Sequence, residues 1–109
     1  MKSLKAIVIS LFVLSANSQA NELVLIEDYE LWSSTYLSER IRVIPKNAAI
    51  IESQCSDPDS YMVSTSLSHE VQSRIFSVLM TAKVANQPVK INVKGCEDNR
   101  PAITSAILL

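Results

Sequence analysis

The stretch SHEVQSRIFSVLMTAKVANQPVKINVKGC, residues 68–96, decides the fold. Val71, Ile75, Val78, Leu79, Ala82 and Ala85 recur at the spacing that lines one side of a 3.6-residue helix, so this stripe is expected to face a core. Ser68 is placed to cap the helix N-terminus, and Glu70 lies in the first turn near the positive end of the dipole. Asn86 followed by Pro88 stops the helix, because proline has no N–H and restricts the residue before it. The chain then passes into a strand in which Val89, Ile91 and Val93 face one way and Lys90, Asn92 and Lys94 the other. Phe76 and Met80 lie off the first stripe, one helical turn apart. Either they meet a partner in an oligomer, or a loop or edge strand of the same subunit covers them.

Upstream, Met1 to Ala20 reads as a secretory signal: Lys2 and Lys5, an apolar run from Ala6 to Leu14, then small residues at Ser18 and Ala20. The run is too short to span a bilayer, and no later segment approaches that length. Cleavage after Ala20 removes two lysines and no carboxylate, taking the formal charge from −1 to −3. The remainder, 21–109, is expected to be a single small domain in the periplasm or outside the cell. Its cations, from Arg40 and Arg42 to Lys94 and Arg100, are scattered, which argues against nucleic acid as a partner.

Cys55 and Cys96 are the two cysteines, and both lie in the exported part. In an oxidising compartment such a pair reads as one structural disulfide, with zinc the weaker alternative because His69 is the only histidine to join them. No metal or cofactor is expected. No catalytic constellation assembles either, since Gly95 alone cannot build a phosphate loop, and Glu27-Asp28 and Glu97-Asp98 read as solvated charge.

Between the leader and the helix the chain reads as strands. Leu23 to Ile26 is a short strand or a helical turn, the pattern not deciding which. Trp32 to Ile44 alternates through Leu37, Ile41 and Val43, although Glu39 falls on the apolar side and suggests a bend. Pro45-Lys46-Asn47 is turn chemistry, and Ala48 to Glu52 is expected to return as the second strand of a hairpin. Tyr61 to Ser66 alternates as a third strand, Gly95 to Pro101 forms a polar loop, and Ala102 to Leu109 is the last strand. The resulting class is mainly β with one helix. The order β-β-β-α-β-β is that of a small five-stranded OB-fold-like barrel, with an open α+β sandwich as the alternative.

The run from Arg74 to Val93, centred on the joint Asn86-Gln87-Pro88-Val89-Lys90-Ile91, resembles the subtilase-cytotoxin B-subunit family, as does the pair Trp32-Ser33. The likeness covers about the last half of the mature chain. It implies an exported OB-fold protein and, from the toxin members, a pentameric homo-oligomer that binds sialylated glycans. Ser33 would match a serine that contacts sialic acid, and Asp28 and Glu30 lie near the family's acidic pocket residue. Val93 departs from the pattern, standing where the toxin strand has a pocket tyrosine. Trp32, Ser33 and Asp28 are therefore the candidate glycan-binding residues, and Phe76 and Met80 the candidate oligomer contacts. Against this, Ser33 reads more simply as a hydroxyl capping a strand end, and Trp32 as a core or rim anchor.

Overall fold

Ser68 adopts an extended backbone and its hydroxyl oxygen accepts a hydrogen bond from the Val71 N–H at 3.2 Å, which starts helix α1, His69–Val84. The other end closes as a Schellman motif. Asn86 takes the left-handed conformation, φ 58°, its N–H donates to Lys83 O, and the Gln87 N–H donates to Ala82 O. Gln72, Ile75, Leu79 and Ala82 form the buried face. The expected stripe is thus right at its centre and rotated at its ends. Val71 is 38% exposed and Ala85 is also exposed, while Gln72 takes the inward place in the first turn. Its amide donates to Leu67 O at 2.8 Å, so a polar side chain is buried there with a partner.

The computed structural model describes residues 22–34, 40–46, 48–50 and 53–109; the leader, 1–20, lies outside the described residues. Six strands form one sheet: β1 Glu22–Ile26, β2 Tyr29–Ser34, β3 Arg40–Pro45, β4 Tyr61–Val63, β5 Val89–Glu97 and β6 Arg100–Leu108, in the order β1-β5-β6-β4-β3-β2. The strands at the two ends of that order, β1 and β2, are consecutive in the chain, with only Glu27 and Asp28 between them. One bent strand thus supplies both edges and curls the sheet toward closure. Counted as one, β1 and β2 restore the β-β-β-α-β-β order of an OB-fold-like barrel; counted by hydrogen bonding there are six strands, not five. All neighbours are antiparallel except β4 and β6, where Met62 pairs with Ala102 and Val63 with Ile103.

Expected boundaries are corrected at three places upstream of the helix, the simplest being the third strand, expected over Tyr61 to Ser66, which ends at Val63. Trp32 to Ile44 does not hold one strand. It contains the end of β2 and most of β3, paired from Tyr29↔Pro45 to Ser34↔Arg40, with Leu37 and Glu39 outside the described residues. Ala48 to Ile50 carries no strand and Ile51 and Glu52 lie outside the described residues, so the hairpin expected across Pro45-Lys46-Asn47 is not the one formed. Alanine has little to gain on a pleated surface, and two of the three described residues there are alanines. Leu23 to Ile26, ambiguous by pattern, is strand: each of its residues pairs with β5.

Inside, Ile26, Tyr29, Val43, Val63, Ile91 and Ile103 meet Ile75, Leu79 and Ala82 of the helix. Tyr29, at the bend, locks the two layers together. Its hydroxyl donates to Leu79 O at 2.6 Å, and the Lys83 ammonium donates to Tyr29 O at 2.6 Å while lying 5.6 Å from the ring centroid. Burial pushes the Tyr29 phenol above its ordinary pKa.

The expected disulfide is present. Cys55, in the loop before β4, is bonded to Cys96 on β5, with Cα atoms 5.8 Å apart. The polar loop expected at Gly95 to Pro101 is tighter than its composition suggests, because Glu97 and Arg100 are paired across a two-residue turn. Asp98 and Asn99 both have positive φ, 53° and 67°, as a type I′ hairpin requires. The loop around Cys55 is further strapped to this hairpin. The Asp57 N–H donates to Asn99 O at 2.8 Å, and Arg100 donates to both carboxylate oxygens of Asp59 at 2.9 and 3.2 Å. Those hydrogen bonds from Arg100, helped by the Ser60 hydroxyl, hold the Asp59 carboxyl below its ordinary pKa.

Candidate binding surface

Strand alternation decides which candidate residues can act together. On β2, Tyr29 is buried and Leu31 partly buried, so Glu30, Trp32 and Ser34 project from the outer face of the barrel. Trp32, the only tryptophan, is 58% exposed. Its indole N–H donates to Glu30 Oε1 at 3.2 Å, a contact between two exposed side chains that favours one azimuth of the ring. Directly across the ladder stands Arg42, whose Nε donates to Met62 Sδ at 3.5 Å, a weak acceptor, and whose charge also helps to hold the Asp59 carboxyl ionised. The next pair along is Ser34 and Arg40, the latter bridged to Asp98 at 2.6 Å. This face therefore presents an exposed indole hydrogen-bonded to a carboxylate, with Arg42 as its register partner on the neighbouring strand.

The other two candidate glycan residues do not join it. Ser33 is exposed but belongs to the opposite side of the strand from Trp32, by alternation. Asp28 lies at the bend, about 13 Å back along the chain at the usual rise of a strand. It lines a separate groove of about 370 Å³ together with Val24, Ile26, Lys46, Ile50 and Tyr61. Val93, the departure from the family pattern, is buried on β5 and offers no wall to Trp32 or Ser33. The sequence singles out Trp32 and, through the resemblance, places Glu30 near an acidic pocket residue, but it does not join the two. Glu30 was legible as the same-face residue two positions earlier, whereas Arg42 emerges only from the register with β3.

The candidate oligomer residues also separate. Phe76 is partly buried and packs on the core of its own subunit, while Met80 is 41% and Val84 78% exposed. Phe76→Glu is accordingly expected to destabilise the subunit itself by about 1–3 kcal/mol, through loss of packing and burial of a carboxylate. An unaltered urea midpoint for that variant would show that the ring is not used inside the subunit.

No group of three or more His, Cys, Asp or Glu side chains able to hold a metal occurs among the described residues. The charged cluster of Arg40, Asp59, Asp98 and Arg100 is engaged in straps between loop and hairpin. Nor is any helix among the described residues long and apolar enough to cross a membrane. No family model, no curated protein and no solved structure matches the chain.

Proposed function

We propose that this protein is an exported, non-catalytic binding module that takes a glycan on the outer face of β2 and β3, with Trp32 as the platform for a sugar ring. The observation that carries the reading is an indole that is largely exposed yet hydrogen-bonded to Glu30, opposite Arg42. Leaving a ring of that size in water forfeits burial that a ligand would restore, and favouring one azimuth beforehand lowers the entropy lost on binding. The leader-like residues 1–20 and the closed Cys55–Cys96 pair support export. Resemblance to subtilase-cytotoxin B-subunits supports a sugar as the ligand class.

An array of sialylated and neutral glycans, probed with the oxidised protein, tests this reading. Trp32→Ala is expected to weaken binding about tenfold or more, and Ser33→Ala to leave it nearly unchanged because that hydroxyl faces the other way. The reverse ranking would transfer the site to the family's serine pocket.

A second reading, a monomeric module rather than a ring, is favoured by the inward packing of Phe76. Light scattering separates the two, since a ring would weigh several times the 12.0 kDa of the whole chain.

A further inference from the structure

The ladder between β2 and β3 runs one step past the bend, where the Lys46 N–H donates to Asp28 O at 2.9 Å, and then ends. Beyond that point the two chains part. β1 turns away and pairs with β5 through all five of its residues, while Ala48 to Ile50 takes no regular structure. Among the described residues, the edge of β1 remote from β5 has no strand partner. The 370 Å³ groove lies between these diverging chains, apolar at Val24, Ile26, Ile50 and Tyr61 and charged at one end by Glu27, Asp28 and Lys46.

We propose that this groove binds the free N-terminal end of an extended peptide, which adds to β1 as an antiparallel strand. An unpartnered strand edge offers backbone donors and acceptors in the repeat that only another extended backbone can match. Antiparallel pairing brings the incoming N-terminus to the C-terminal end of β1, beside Glu27 and Asp28. Two carboxylates facing one lysine leave that end of the groove net negative, which suits an α-ammonium group. Alternate side chains of the incoming strand would fall on the same face as Val24 and Ile26 and should be apolar. The site is separate from the Trp32 surface and goes beyond the glycan reading.

The test is a nitrogen-15 NMR titration of the oxidised protein with Val-Thr-Val-Thr-amide, in free-amine and N-acetylated forms. The free-amine peptide is expected to shift the amides of Val24 to Asp28 and Ala48 to Ile50 saturably. Acetylation should weaken binding about tenfold through loss of a charge-assisted contact. Glu27→Gln combined with Asp28→Asn should cost a similar factor, and Ala49→Trp, which fills the groove from an exposed loop position, should abolish binding. Trp32→Ala should leave it unchanged. Absence of saturable shifts at millimolar peptide, equal binding of the acetylated form, or undiminished binding to Ala49→Trp would each overturn the proposal. So would movement of the same β1 amides on diluting the protein alone, which would assign the edge to a second copy of the chain.

Discussion

Cys96→Ser is expected to lower the free energy of unfolding by about 4 kcal/mol, because it releases a cross-link between residues 41 positions apart and so restores entropy to the unfolded chain. Against a net stability of about 5–15 kcal/mol for a domain of this kind, that is a large loss. In the folded state, Asp57 to Asn99 and Arg100 to Asp59 would be left to hold the Cys55 loop to the hairpin. Arg100 is the only side chain among them that is mostly covered, so these contacts cannot replace the covalent bond. Urea unfolding of the variant and the oxidised parent provides the comparison. Equal midpoints would mean that the cross-link contributes nothing to stability, whatever it does for the loop.

Leu79→Ala should cost about 2–5 kcal/mol, the sum of lost burial and the cavity left behind. Leu79 is fully buried, at the centre of the helix face that meets the barrel, and its carbonyl also receives the Tyr29 hydroxyl. Truncation would therefore loosen the helix at the place where the bent strand is anchored. The urea midpoint should fall with little change in the denaturant slope, because the surface exposed on unfolding is nearly the same. A midpoint within error of the parent would contradict the assignment of this helix face to the core.

The helix and the strand after it were legible because their signals are local. Spacing fixes Ile75, Leu79 and Ala82 on one side, Asn86-Gln87-Pro88 encodes the stop, and Val89, Ile91 and Val93 alternate with polar residues. The cysteine pair was equally legible, from its number and from the oxidising compartment that the leader-like residues 1–20 lead one to expect. The first half of the barrel was not. Its strands β2 and β3 lie close together in sequence, and their summed pattern resembles one long strand with a fault at Glu39. The bend at Glu27 and Asp28 carries no glycine or proline to announce it. Gln72 was missed because its burial depends on a carbonyl outside the helix, at Leu67. Arg42 became a neighbour of Trp32 only through cross-strand register, which no periodicity within one strand can supply. The groove along β1 was likewise invisible, being the space left where two chains diverge.

Trp32 is the only tryptophan in the chain, so its fluorescence reports on the proposed sugar platform without labelling. The decisive measurement is acrylamide quenching of that fluorescence during titration with a glycan that scores on the array. If the sugar stacks on the indole, quenching should fall saturably as binding sites fill, with the same midpoint as binding measured by calorimetry. Saturable glycan binding that leaves the quenching of Trp32 unchanged would contradict the account.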